Sequence, residues 1–219
     1  MVSVDKSEFK AAARTILSNS RSGGEQGICP DQYVGLISSM KPTDSDFAER
    51  SPVKRVESSD HSILLVLESP HIQEFEGNGG PGPAKGHTGR AIRTYLRGVL
   101  NWKEYEGWGL ILINAVQYQC SHGTKPLDIE LRNQNFRYIW GQDGRENFID
   151  RLEGIYRDGD VIVNACTKGA SSKTGQLREM VQKALIGSKN IGKPENILRR
   201  FHPASWSRSL RMRTGTWPS

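Results

Sequence analysis

Two kinds of hydrophobic pattern alternate along the chain. Residues 62–68 (SILLVLE), 109–116 (GLILINAV) and 160–164 (DVIVN) are short, nearly continuous apolar runs, as strands buried on both faces should be. Between them, apolar residues recur at helical spacing. Residues 89–100 carry Ile92, Tyr95, Leu96 and Val99, and residues 145–157 carry Phe148, Leu152, Ile155 and Tyr156. Residues 177–186 place Leu177, Met180, Val181, Ala184 and Leu185 on one face, and a weaker fourth strand is expected over residues 197–201. Strands alternating with helices predict an α/β fold: a three-layer α/β/α arrangement around a central, mostly parallel four-stranded sheet.

Ahead of this pattern, residues 5–18 read as an amphipathic helix with Phe9, Ala12, Ala13, Ile16 and Leu17 inward. Residues 19–60 are rich in Ser, Gly, Pro and charge and keep no period, which predicts irregular structure or short helices. The expected organisation is a lead-in over residues 1–60 packed on an α/β domain over residues 61–219. At 219 residues the chain is long enough to bury its own core.

Charge sharpens the picture. The net charge is +6, and residues 189–213 hold seven bases against the single acid Glu195. A local basic stretch suits a phosphate backbone and equally describes a solvated basic tail. Three cysteines, Cys29, Cys120 and Cys166, form no C-x-x-C pair. Free thiols and a cytoplasmic location are expected, not a disulfide scaffold or a four-cysteine cluster. No apolar run is long enough to span a membrane, and the first ten residues lack the apolar stretch of a signal peptide.

In open parallel sheets, ligands bind beyond the carboxyl ends of the strands. The residues found there are polar: Glu68, Ser69, Pro70 and His71 after the first strand; Asn114 closing the second; Asn164, Thr167, Lys168 and Gly169 at the third; His202 to Trp206 after the fourth. Four motifs follow in order. They are Leu67-Glu68-Ser69-Pro70-His71, then the glycine-rich Gly80 to Gly86 with Gly89-Arg90-Ala91, then Ile111-Leu112-Ile113-Asn114, and last His202-Pro203-Ala204-Ser205-Trp206. Over residues 62–207 this series resembles the uracil-DNA glycosylase superfamily. Its members carry forms such as G-Q-D-P-Y or G-E-A-P-G, a Gly-rich helix start, a strand ending in Asn, and H-P-S.

The resemblance implies a monofunctional DNA glycosylase that hydrolyses the N-glycosidic bond of a flipped-out base and leaves an abasic site. It assigns His202 to the anionic leaving base and Asn114 to the base edge or the attacking water. Ser69, Pro70, His71, Phe75 and Gly89 would surround the base. Lys85, Arg90, Lys168, Ser205, Arg208 and Arg211 would meet DNA, with Trp206 either as the wedge filling the vacated stack or as a core residue. Ser69 stands where the best-known branch has its water-activating Asp, so water activation falls to Glu68 or Glu74, with Glu76 as a further candidate, any of which can also be read as a solvated loop acid. His71 replaces the residue that excludes thymine, so strict uracil specificity does not carry over. The candidate bases are uracil and a bulky modified cytosine, such as the glucosylated hydroxymethylcytosine of phage DNA, in repair or in antiviral defence. No cofactor or metal is expected, and a monomer acting on DNA is. The competing readings are a non-catalytic DNA- or nucleotide-binding module and a metal-dependent nuclease. The second is disfavoured because the one Glu-x-Lys, Glu8-Phe9-Lys10, lies far from the strand ends.

Overall fold

A computed structural model describes residues 28–53, 61–76, 79–100, 102–120, 126–169, 176–191 and 194–211. The expected helix over residues 5–18 lies outside the described residues, as does Arg213. The strands are β1 (Gln32–Leu36), β2 (Ser51–Pro52), β3 (Ser62–Leu67), β4 (Gly109–Asn114), β5 (Val161–Asn164) and β6 (Ile197–Arg199). They form one sheet in the order β2-β1-β4-β3-β5-β6.

The four strands read from the sequence pair in parallel, but the sheet is mixed and has six strands. β1 runs antiparallel to β4, and β2 antiparallel to β1. Both additions come from the segment expected to be irregular. Their signal was faint for a local reason: Gly35, at φ +99°, sits in a bulge that breaks the register between Tyr33 and Leu36 and with it the period-2 alternation. A buried Gln32 further masks β1 as an apolar run.

Every residue of β3 and β4 is buried, and alternate side chains feed two separate cores. Ile63, Leu65 and Leu67 join Leu110, Leu112 and Val163 on one face. That face is covered by Ile92, Leu96 and Val99 of α1 (His87–Val99) and by Trp206 of α5 (Trp206–Arg211). Leu64, Val66, Ile111, Ile113 and Ile162 point the other way. They meet Phe136 and Ile139 of α2 (Pro126–Ile139), Phe148 and Leu152 of α3 (Arg145–Ile155), and Leu177, Val181 and Leu185 of α4 (Leu177–Gly187). Helices thus cover both faces. A π-turn, Trp140–Gly144, joins α2 to α3. Among the described residues, no helix is long and apolar enough to cross a membrane.

The strand order creates a crevice. The chain leaves β3 toward α1 on one face and leaves β5 toward α4 on the other. β3 and β5 are neighbours, so their exits part and open a space at their carboxyl ends.

Candidate active site

A cleft of about 430 Å³ opens at that position. The segment after β3 brings Glu68, Ser69, His71, Gln73 and Glu74; the glycine loop and first turn of α1 bring Lys85, His87 and Thr88. Ile129 and Arg132 of α2, Thr167 after β5, and His202, Ala204 and Ser205 after β6 complete the lining.

Glu68 is one of the two carboxyls that line it. Main-chain bonds from Ala115 N–H to Leu67 O (2.8 Å) and from Val116 N–H to Glu68 O (2.9 Å) continue the β3–β4 ladder past the strand ends and fix its position. Its carboxylate is buried and surrounded by donors. Oε2 accepts from the Thr167 N–H at 3.1 Å, Arg132 lies 3.8 Å from Oε1, and His202 Nε2 lies 3.6 Å from Oε2.

His202 reaches the site because the Arg200 N–H donates to Asn164 O at 3.0 Å, extending the β5–β6 pairing. A short 3₁₀ turn, Pro203–Ser205, then starts at His202, whose Nδ1 accepts from the Ala204 N–H at 3.3 Å. With Nδ1 accepting, the neutral ring carries its proton on Nε2, on the side of Glu68. Burial holds the His202 pKa below its ordinary value; Glu68 pulls it up, while Arg132, Arg178 and His87 press it further down. Near neutrality, burial thus favours a neutral imidazole with an N–H to offer.

Glu74 is the second carboxyl of the cleft. Its Oε1 accepts from the Ala84 N–H at 2.8 Å, and its Oε2 lies 3.4 Å from Asn114 Nδ2 and 4.0 Å from Cys29 Sγ. Burial pushes its pKa up to about 8 against the donors that lower it, and Glu68 adds to the rise. Its own carbonyl accepts from the Gly82 N–H at 2.9 Å, so Glu74 stitches the glycine loop to the segment after β3. Gly89 serves the same loop: a Cβ there would overlap the carbonyl oxygen of Ala84, itself at φ +56°.

No family model, curated protein or solved structure matches this chain.

Of the residues singled out in the sequence, Glu68, Ser69, His71, Glu74, Lys85, Ser205 and His202 meet in the cleft. Asn114 is almost fully buried beside Glu74 and Cys29 and is not among the lining residues. Pro70 is buried, Phe75 is half-buried outside the lining, and Gly89 is buried in α1. Lys85 is committed to the carbonyls of Gly80 and Glu76. Arg90, Lys168 and Arg208 are exposed on the surface around the site, and Arg211 falls where side chains are not described. Asn164 is tied to the Arg178 carbonyl and to Gln182.

Trp206 requires a correction. It is fully buried in the core beneath α1, and its Nε1–H donates to the Phe201 carbonyl at 2.6 Å. A side chain so placed anchors the β6 exit and does not present itself as a wedge. The exposed aromatic of this segment is Phe201, 42% accessible, with the Arg178 guanidinium 5.4 Å from its ring centre.

Arg132 and Ile129 were missing from the site read from the sequence. They depend on α2, which the pattern did not disclose because that helix buries amides as well as apolar groups. Asn133 and Asn135 lie inward with Phe136 and Ile139. Asn133 accepts from Arg132 at 2.8 Å and donates to Gly169 O at 3.1 Å, aiming the guanidinium and tying it to the loop after β5.

Proposed function

We propose that the protein is a DNA glycosylase that removes a modified or damaged base. The observation that carries this reading is the pair formed by the Glu68 carboxylate and the Nε2–H of His202, 3.6 Å apart at the mouth of a cleft made by the β3, β5 and β6 exits. The motif order that resembles the uracil-DNA glycosylase superfamily supports it, since the same residues carry both.

The chemistry fits the pair. Cleavage of the C1′–N bond leaves its electrons on the base and positive charge on the sugar. A neutral imidazole N–H aimed at the base stabilises the developing anion without having to give up a proton. A carboxylate beside the sugar stabilises the oxocarbenium-like centre and orients the water that attacks it, as in glycoside hydrolysis. The water's oxygen bonds to C1′, and its proton passes to Glu68 and then to solvent or the departing base. The products are the free base and an abasic site. Lys168, Arg90 and Arg208, exposed and each within three residues of one that lines the cleft, suit a phosphate backbone, and the base enters the cleft by leaving its stack.

The test is to incubate the full chain with DNAs carrying uracil, damaged purines or glycosylated cytosines. Mass spectrometry then detects released bases, and alkali reveals abasic sites. Release that is lost in both Glu68→Gln and His202→Ala supports the reading. Binding without release from any DNA refutes it.

A further inference from the structure

The two carboxyl groups of the cleft are not equivalent: Glu68 has a cation, Arg132, and the neutral His202 ring beside it. Arg132 and His202 approach Glu68 within 4 Å, and the Thr167 N–H donates to it. No cation pairs with Glu74 among the described residues. Arg50, whose charge Glu74 senses, is committed to Asp46, to Gln32 Oε1 and to the Pro83 carbonyl. The other ionisable groups facing Glu74 are Glu68 and the buried Cys29 thiol. A buried carboxyl with no paired cation beside it favours its uncharged form.

Resting on the hydrolytic reading of this cleft, we infer that Glu74 works as a neutral carboxylic acid that positions the glycine loop, leaving Glu68 to supply the negative charge of the reaction. The Ala84 N–H donates to Glu74 Oε1, so the proton sits on Oε2, toward Asn114 and Cys29. Among the described residues the Oδ1 of Asn114 has no hydrogen-bond partner. A half-turn of that amide exchanges the Nδ2 contacts with Glu74 and Cys29 for an oxygen that accepts the Glu74 proton. Through Ala84 the same side chain, with its own main-chain carbonyl holding Gly82, sets the path of the glycine loop that carries Lys85, His87 and Thr88 to the cleft wall. Glu74 is therefore a positioning residue and not the base that activates water.

The test pairs a titration with kinetics on the full chain. With ¹³C-labelled glutamate carboxyls, the wild type shows one resonance titrating near pH 8 that is missing from Glu74→Gln. In single-turnover excision, Glu74→Ala loses on the order of 10²-fold, the scale of a misplaced catalytic wall, while Glu74→Gln, a fixed neutral donor and acceptor, recovers to within about threefold of wild type. The wild-type rate falls about tenfold per pH unit above pH 8, and the Gln variant shows no such fall. A Glu74 resonance that titrates in the ordinary carboxylate range, or a Gln variant as slow as Ala, overturns the inference. If no DNA releases a base, the glycosylase reading fails by itself, and the titration still decides the state of Glu74.

Discussion

A neutral Glu74 leaves a mark on stability that needs no substrate. The perturbation is Glu74→Gln, which keeps the shape and removes the titration. In the folded chain the Glu74 carboxyl is raised from 4.5 to about 8, chiefly by burial; in the unfolded chain it returns to the lower value. Between those pH values the folded state therefore holds a proton that the unfolded state has released. Unfolding free energy consequently falls as pH rises through this window and levels off above about 8. The slope is about 1.4 kcal/mol per pH unit, so the wild type loses about 5 kcal/mol relative to the Gln variant across the window, give or take one such unit. The assay is urea denaturation of both proteins at closely spaced pH from 4.5 to 9, read as the difference between them. Groups common to both, such as Asp31, whose pKa burial also raises, largely cancel in that difference. Parallel curves would show that Glu74 titrates normally. A difference of opposite slope would show a carboxylate held ionised by its donors, and the account of the cleft given above would be wrong in either case.

Other outcomes follow from the same geometry. His202→Ala should slow single-turnover excision by on the order of 10²-fold with little change in DNA affinity, as for the loss of one aimed donor to an anion; a parental rate removes His202 from the chemistry. Trp206→Ala should cost about 3–5 kcal/mol in chemical denaturation, the scale of emptying a buried aromatic site, whereas a loss below about 1 kcal/mol would mean the ring is not in the core. Phe201→Ala should leave stability nearly unchanged and weaken excision from duplex more than from single-stranded DNA, since only the duplex has an opposing stack to hold open; equal losses on both substrates refute a stacking role. Arg208→Ala or Lys168→Ala should weaken binding to all sequences alike and lower the salt slope by about one each, and an unchanged slope places that residue off the backbone.

The elements written most plainly in the sequence are those buried on both faces. β3 and β4 are apolar at nearly every position, and the helices α1, α3 and α4 show an apolar stripe, so the parallel core and its rim of polar strand ends were legible. Less legible were elements whose burial does not follow apolar periodicity. β1 is broken by Gly35, β2 is two residues long, and α2 turns Asn133 and Asn135 inward. The convergence of Glu68, His71, Glu74 and His202 followed from topology alone. Orientation did not. Trp206 lies one residue past a polar turn and could face either way by pattern; the Phe201 carbonyl that its Nε1 meets sends it inward. Arg132 was hidden because its helix was hidden.

The contrast between Glu68 and Glu74 shows why spacing could not assign their roles. The two are six residues apart and share one cleft wall. Glu68 immediately follows β3, where the β5 and β6 exits deliver the Thr167 N–H and the His202 ring, and α2 delivers Arg132. Glu74 ends a 3₁₀ turn that carries it beneath the glycine loop, where its neighbours are an amide, a thiol and a backbone N–H. The first environment stabilises a charge and the second resists one. The β2–β1 extension completes that second environment, because Cys29 is held by its N–H to Gln117 O at 2.9 Å just ahead of β1. The segment that looked like an irregular lead-in therefore supplies Cys29 to the surroundings of Glu74.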